Sequence, residues 1–414
     1  MSAWCSTFIQ TRRTDISSVG TKRSIRDAVG GRFASATKRR HQQVLMIRTA
    51  FIIVVAVHGL IHLAGFAKAF GYAELPELGQ PISEAMGLLW LIAAVLVVAA
   101  ASLVVPLPRW WWLVGALALV ASQCAIVSSW GDARFGTIVN VLLLAGVAYG
   151  FASRGPFSLH AEYERRVHPV RAAEASAALT AADVAQLPEP VQRYLRGAGA
   201  LGRPRPRNFR ATWRGRMRSS ATSPWMVFTA EQLNTLDPPQ RFFWMDAVMK
   251  GMPVDVLHAF DQNGATMQVR LLSFFPMVNA RGPELTRAET VTLFNDLCVL
   301  APGALVSPHI AWQSVDALTA RARFTLRKNT VSAELHFNAA GELIDFVSDD
   351  RSPAAADRSA PTQMRWSTPL HAYAQMGPAR IATRGDAMWH PVTGPYAYGE
   401  FELTSLAYSV AGGQ

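Results

Sequence analysis

Cysteine is scarce in this sequence, which has only Cys5, Cys124 and Cys298 among its 414 residues. The three are far apart and none belongs to a CxxC pair, so the sequence predicts neither a disulfide framework nor a thiolate metal site. It also lacks GxSxG, HExxH, a phosphate-binding glycine loop and a DxDxDG calcium loop. Because these motifs carry much of the known hydrolase, metalloprotease and nucleotide chemistry, we assign no catalytic residues and expect a protein that is not an enzyme.

Charged residues are also few, at 17% of the chain, and they are unevenly placed. The net charge is +11, but residues 1–48 hold ten Lys or Arg against Asp15 and Asp27. No nucleic-acid-binding motif follows this basic segment, so we expect no nucleic-acid partner. Residues 1–45 are rich in Ser, Thr, Arg and Gly, which predicts a disordered extension. The alternative is a mis-assigned start, with Met46 as the true first residue.

Long apolar runs, in contrast, are abundant. Four runs, each about as long as a bilayer core requires, are separated by short connectors that contain Pro or Gly. They are residues 47–70, 82–105, 110–130 and 135–152. Trp residues at both ends of the third run fit an interfacial aromatic belt. The sequence therefore predicts a four-helix transmembrane domain over residues 46–152.

The basic residues beside these runs predict how the helices cross the membrane, because Lys and Arg in short flanks stay in the cytoplasm. The side that holds the amino-terminal segment also holds Arg109, Arg154, Arg165, Arg166 and Arg171, whereas the other side holds Lys68 and Arg134. Both termini are therefore predicted to be cytoplasmic.

A polar, Ala-rich linker at residues 153–180 precedes a region, residues 181–414, with a different hydrophobic pattern. There, short alternating segments are bounded by Gly, Pro and Asn turns, and one helix is predicted within residues 283–303. The pattern predicts an α+β domain, with an antiparallel sheet and few helices.

Two hairpins can be placed in register from the sequence. With Asn263–Gly264 at the turn, Phe260 is set against Met267. With Lys328–Asn329 at the second turn, Phe324 is set against Ala333 and Arg323 against Glu334. Each register gathers apolar side chains on one face, which favours a sheet with one buried side.

Residues 208–218, NFRATWRGRMR, alternate between apolar and basic side chains, which predicts a half-buried strand. Its apolar side and nearby aromatic residues are candidates to line a groove for an apolar ligand. The alternative is that these aromatic side chains simply form the core. The candidates are Trp213, Trp225, Phe243, Trp244 and Phe260. The basic side, which would face lipid headgroups or water, carries Arg210, Arg214, Arg216 and Arg218.

His58 and His62 lie one turn apart in the first apolar run, where ionisable side chains are functional candidates. Two neutral imidazoles at this spacing can converge on a metal or a haem. The alternative is a hydrogen-bonded pair inside the helix bundle, with Gln123, Asn140 or Glu84 as partners. No further ligand residue accompanies the two histidines, which favours the alternative.

Several stretches resemble an uncharacterised family of bacterial membrane proteins. In the apolar part they are HGLIHLAGFAKAF and WGDARFGTIVN. In the second part they are LPEPVQRYL, ETVTLFNDLCVLAPGAL, GELIDFVSDDR, RWSTPLHAYAQMG and AMWHPVTGPYAYGEFEL. The resemblance covers most of residues 47–410 and implies a multi-pass protein of the bacterial inner membrane, with no activity to carry over. The second part also looks like the lipoprotein-carrier (LolA-like) half-barrel, which implies an apolar groove.

Together these observations favour a membrane-anchored binding protein whose sheet domain holds a membrane lipid or another apolar ligand without covalent chemistry. A membrane redox, metal or haem protein centred on His58 and His62 is the first alternative. A sensor or interaction module with an unknown protein partner is the second.

Overall fold

The structure is a computed structural model that describes residues 22–172, 176–353 and 363–412, with side chains from Leu45 onward. The chain divides into two compact units, residues 1–54 and 55–414. Helix α1 (Lys22–Ala69) begins in the first unit, and the remaining elements belong to the second. Residues 1–21 lie outside the described residues, so their disorder stays a prediction, whereas residues 22–45 belong to helix α1.

Four helical segments are long and apolar enough to cross a membrane. They are Leu45–Ala69 in α1, α2 (Glu84–Leu103), α3 (Trp111–Ser128) and α5 (Gly136–Arg154), which opens the fourth segment; a short helix, α4 (Trp130–Ala133), precedes α5. Large apolar side chains point outward from them: Leu117 is 62% exposed and Ile138 is 70% exposed. An exposed apolar helix surface is compatible with the hydrocarbon of a bilayer. The prediction of four helices able to span a bilayer is therefore confirmed.

An antiparallel sheet of 14 strands dominates the rest of the described chain. Its strands are β1 (Asn208–Met217), β2 (Met226–Leu236), β3 (Pro239–Met249), β4 (Met252–Asp261), β5 (Gly264–Leu271), β6 (Phe275–Arg281), β7 (Ile310–Ser314), β8 (Thr319–Leu326), β9 (Asn329–Phe337), β10 (Leu343–Arg351), β11 (Met364–Ser367), β12 (Leu370–Met376), β13 (Ala379–Trp389) and β14 (Tyr396–Tyr408). The spatial order is β6-β5-β4-β3-β2-β1-β14-β13-β11-β10-β9-β8-β7, and β12 pairs with β13.

Helices lie on both faces of this sheet. Helices α6 (Leu159–Val167), α7 (Ala181–Val184) and α8 (Glu189–Gly197) precede the first strand, and α9 (Pro283–Leu300) runs into a 3-10 turn at Pro302–Leu305. Helix α9 contacts β5 and β6 near one edge and β9, β10 and β13 far along the strand order. A sheet of this length must curl or split. It curls around α9, so the predicted α+β class and half-barrel are confirmed.

Both predicted hairpins exist, but each register was wrong by two residues. Phe260 pairs with Ala265, and Phe324 pairs with Val331. In the first turn the Asp261 carboxylate accepts the Asn263 N–H at 2.8 Å, and Gly264, with φ +103°, follows the two central residues instead of being one of them. A shift of two keeps every side chain on its predicted face.

The second hairpin shows the same error for a different local reason. Arg327, not Asn329, takes the positive φ of +58° at the turn. Glu334 therefore pairs with Arg321, 3.0 Å away, instead of with Arg323. The prediction of an Arg–Glu ion pair across these strands was correct, but the arginine was wrongly identified.

The largest core cluster lies between α9 and the second half of the sheet. Phe294 of α9 is fully buried, with its ring stacked 5.1 Å from Phe324 and set edge-on 5.5 Å from Phe346. Offset and edge-on aromatic pairs add to the free energy gained from burial. These contacts anchor the helix around which the sheet curls.

We expect Phe294→Ala to lower the free energy of unfolding by about 3–5 kcal/mol, because it leaves a cavity among packed rings. Urea unfolding of the full chain, followed by near-ultraviolet circular dichroism, measures this loss. Val392→Ala, at a fully exposed position, is the control and should change stability by less than about 0.5 kcal/mol. Similar effects of the two substitutions would contradict the assignment of the core.

Candidate functional site

The predicted site residues lie on two opposite faces of strands β1–β4. Cross-strand pairing puts Trp213 beside Ala230 and Ala230 beside Met245, so Trp213 and Phe243 share the face toward α9. Phe260 lies on that face too. Trp244 points to the opposite face, where α6 packs. We call these the inner face and the outer face.

The inner face is already packed where the predicted residues lie. Phe260 is 1% exposed and Phe243 is 7% exposed. Trp213 is partly buried, donates from Nε1 to Gln232 Oε1 at 3.0 Å and meets the edge of Phe401. These three side chains belong to the core in this structure, which is the alternative considered for them.

A buried charge network lies on the same face, under α9. Arg241 Nε donates to Asp296 at 2.8 Å, and its Nη1 donates to Glu289 at 3.2 Å. Gln232 and Asn234 also donate to the Asp296 carboxylate, at 2.7 and 3.0 Å. One arginine and two amides therefore hold two carboxylates of α9 against the sheet.

The pKa values reflect this arrangement. Burial would raise the pKa of Glu289, but the charge of Arg241 and the contact with His258 outweigh it and lower the pKa to about 2. Burial raises the pKa of Asp296, although Arg241 opposes it. A buried charge whose partner is removed is strongly destabilising, so Arg241 is the residue on which this network depends.

The outer face carries an open pocket of about 310 Å³ between β14, β1, β2 and β3. Of the predicted residues, Arg214 and Trp244 line it, and Trp213, whose side chain is on the inner face, borders it. The full lining is Thr212, Trp213, Arg214, Thr229, Ala230, Glu231, Trp244 and Thr404. Hydroxyl groups form one wall, where Thr212 Oγ1 lies 2.7 Å from Thr404 Oγ1.

Trp244 connects this pocket to α5, which opens the last of the four apolar helical segments. The guanidinium of Arg154, the final residue of α5, lies 5.4 Å from the centre of the Trp244 ring. His160 of α6 meets the ring edge-on at 4.5 Å. Helix α5 has 19 residues and so extends about 28 Å, close to the thickness of a hydrocarbon core. The pocket therefore lies beside the carboxyl end of a helix that is long enough to span a bilayer.

The pocket holds charge of both signs. Burial and the nearby Glu164 raise the pKa of Glu231, while Arg210 and Arg154 oppose that shift. Trp244 Nε1 and the Tyr163 hydroxyl beside it are buried without a hydrogen-bond partner in the described part of the chain. Polar atoms of this kind usually find a partner in folded proteins.

The predicted arginines of β1 bind neighbouring groups. Arg214 forms an ion pair with Glu402 at 2.6 Å, and Arg216 binds Glu400 through two bonds of 2.7 Å. Arg210 donates to the carbonyl of Gly412 at 2.5 Å. Of the four, Arg214 borders the pocket, and its side chain is 57% exposed.

Trp225 lies in the turn between β1 and β2, outside both the pocket and the inner core. The guanidinium groups of Arg216 and Arg218 lie 4.5 and 4.4 Å from the centre of its ring. Arg218 also donates to the carbonyl of Ala397 at 2.8 Å. These contacts form a cation–π stack that closes the end of the first hairpin.

His58 and His62 lie inside the helix bundle. His58 Nε2 is 3.1 Å from Ser122 Oγ and 3.2 Å from Asn140 Oδ1, and His62 Nε2 is 2.8 Å from the same serine. Asn140 is one of the partners predicted for the hydrogen-bonded alternative. Within residues 45–172, 176–353 and 363–412 no group of three or more His, Cys, Asp or Glu could hold a metal ion.

Sequence reasoning missed most of the pocket. Thr212 was visible as a member of the basic side of β1, but Thr229, Glu231 and Thr404 join it only through strand pairing. In the sequence Arg154 carries only a topology signal, as a basic residue beside an apolar run. The network around Arg241 corresponds to no local sequence motif, because its members come from β2, β3 and α9.

Comparison with known proteins places the sheet domain in a family. A family described as "Family of unknown function (DUF6544)" matches residues 177–401. The chain belongs to this DUF6544 family. The expectation of an uncharacterised family is thereby confirmed. No curated protein matches the chain.

Two solved structures are similar to the DUF6544 chain at low identity. A DUF1329 family protein from Desulfovibrio piger has 10% identity and a TM-score of 0.33, and the match covers 54% of this chain and 95% of the other. A putative outer membrane lipoprotein-sorting protein domain from Vibrio parahaemolyticus has 11% identity and a TM-score of 0.28, with 49% and 85% covered. The second is the kind of domain that the sequence resemblance named.

We expect Arg241→Met to destabilise the sheet domain by about 3–5 kcal/mol at neutral pH, because Glu289 and Asp296 would stay buried without their cation. Part of the loss should be recovered in acid, where both carboxylates take up protons. Arg321→Met is the matched control, since it breaks the exposed pair with Glu334 and should cost at most about 1 kcal/mol. Urea unfolding at two pH values measures both, and equal losses would contradict a structural role for the network.

Proposed function

We propose that this protein is a membrane-anchored binding protein that holds the polar head of a membrane lipid in the outer-face pocket. The observation that carries the proposal is the place of the pocket beside Arg154, at the end of a helix long enough to span the bilayer. A lipid that stays in its leaflet would present its head at this level. Binding of this kind requires no covalent step.

The lining suits a head that carries both charges. Arg214 in the lining and Arg154, whose guanidinium lies over the neighbouring Trp244 ring, are cations for a phosphate, and Arg groups bind phosphate oxygens well. Glu231 is an acceptor for an ammonium or hydroxyl group on the far side of the head. The three threonine hydroxyls add neutral hydrogen-bonding groups.

The proposal keeps the predicted topology. Arg109, Arg154, Arg165 and Arg166 flank the helices on the side of the sheet domain, which favours the cytoplasmic side of a bacterial inner membrane for both termini. The cytoplasmic surface carries anionic lipids, and each nearby Arg gains about 1 kcal/mol from that surface potential. The lipid would enter sideways from the inner leaflet.

We expect Thr229→Trp to remove one bound lipid, because the indole would fill much of the pocket. Thr229 is exposed and lies in a strand, where Trp is as well accommodated as Thr. Native mass spectrometry of the full chain with added phosphatidylethanolamine counts the bound lipids. Thr325→Trp, at an exposed strand position away from the pocket, is the control. Lipids around the membrane helices are common to all three proteins, so identical lipid counts would contradict the proposal.

We expect lipid affinity to depend on pH through Glu231. A raised pKa means that this carboxylate loses its charge at a higher pH than a free Glu, so binding of an ammonium head should weaken as the pH falls through that pKa. Glu164 on α6, Arg210 on β1 and Arg154 on α5 face the group and set the midpoint.

The measurement compares acyl-labelled phosphatidylethanolamine with acyl-labelled phosphatidylglycerol, which has no ammonium group. Glu231→Gln should remove the pH dependence for the first lipid and leave binding of the second unchanged. A pH dependence that survives Glu231→Gln would argue against Glu231 as the ammonium acceptor.

A further inference from the structure

The turn between β5 and β6 exposes several large apolar side chains in succession. Phe274 is 47% exposed, Phe275 is 58% exposed and Met277 is 57% exposed. Leu272 and Ser273 both have positive φ, so the turn has a fixed and unusual backbone shape. Contiguous exposed apolar groups of this size mark a contact surface. We call residues 272–277 the β5–β6 tip.

The β5–β6 tip lies against the last membrane-spanning helix. The Tyr149 side chain of α5 lies near enough to Ser273 for the two hydroxyl groups to interact. One strand position away, Arg270 donates to the carbonyl of Phe157 at 3.0 Å, and the Phe157 side chain is 75% exposed. The tip and Phe157 therefore form one apolar region beside α5.

The level of this region along α5 can be stated from helix geometry. Tyr149 precedes Arg154 by five residues, which places it about 7 Å toward the bilayer centre from the end of the helix. If Arg154 marks the end of the span, a group beside Tyr149 would lie below the headgroup level, at the boundary with the acyl chains. Phe and Met side chains next to Ser273 would lie at that same level.

The turn is held in place from within the sheet. The Ser273 hydroxyl donates to the Asp255 carboxylate, and Leu272 N–H donates to the carbonyl of Pro253 at 2.8 Å. Because both Asp255 and Pro253 belong to β4, the tip is a rigid extension of the sheet. A rigid apolar tip loses little conformational entropy when it enters an interface.

We propose that the β5–β6 tip inserts into the lipid interface beside α5, as a second membrane attachment of the sheet domain that is independent of the lipid pocket. The ligand of this surface is the bilayer itself, with Phe274, Phe275 and Met277 among the upper acyl chains. Together with α5, the tip fixes the rotation of the sheet about the membrane normal.

The test attaches an environment-sensitive fluorophore to Phe275→Cys in a full-length Cys5→Ser, Cys124→Ala background, reconstituted in phosphatidylcholine–phosphatidylglycerol vesicles. Buried Cys298 stays, and the background protein alone shows whether it takes up label. Lipids with a nitroxide near the headgroup quench a probe in the interface, and iodide quenches a probe in water. At position 275 we expect loss of most emission with the nitroxide lipid and little loss with iodide.

Two reference positions make the result decisive. Gln262→Cys lies in the turn at the other end of β5, about 26 Å away along the eight-residue strand, and should respond to iodide only. Native Cys124 is exposed on membrane helix α3, and labelled in a Cys5→Ser protein it should respond to the nitroxide lipid, which verifies insertion of the helices. Position 275 responding like position 262 would overturn the proposal. Protection from both quenchers would overturn it too, and would indicate a protein contact at the tip.

Discussion

The curl of the sheet depends on one buried cation. Arg241 lies between Glu289 and Asp296 and is the link through which α9 meets the first half of the sheet. The aromatic stack around Phe294 links the same helix to the second half. Without the first link, two carboxylates would remain unpaired in an apolar interior, which would weaken the contact between α9 and the first half of the sheet.

As a result, the two faces of the sheet have different roles. The inner face is filled by α9 and by side chains such as Phe243 and Phe260, and it provides stability. The outer face of β1–β3 is covered by α6 only in part, where Leu159, Tyr163 and Val167 pack on Phe242 and Trp244. The uncovered remainder is the pocket. Because α6 follows directly from α5, the covered part also connects the sheet to the four apolar helices.

The sequence predicted the elements well and their assembly less well. Apolar length alone identified the four helices, and alternation in residues 208–218 identified β1 with its two sides. Each turn lies one residue earlier than predicted. In the first, the Asp261 carboxylate accepts a hydrogen bond, and in the second, Arg327 has a positive φ; local composition reveals neither.

The pocket could not be predicted, since Thr229, Glu231 and Thr404 become neighbours of Thr212 only across three strands. Aromatic residues were a poor guide, because burial of Phe243 and exposure of Phe275 have no signature in residue type.

Strand β6 is at the end of the strand order, and in the described part of the chain no other strand pairs with its outer edge. The unpaired N–H and C=O groups along that edge require hydrogen bonds, which hydrocarbon does not supply. This requirement limits how deeply the sheet can enter a bilayer at this edge. The side chains of the turn can enter the acyl region, while the backbone of β6 must stay where water and phosphate oxygens are present.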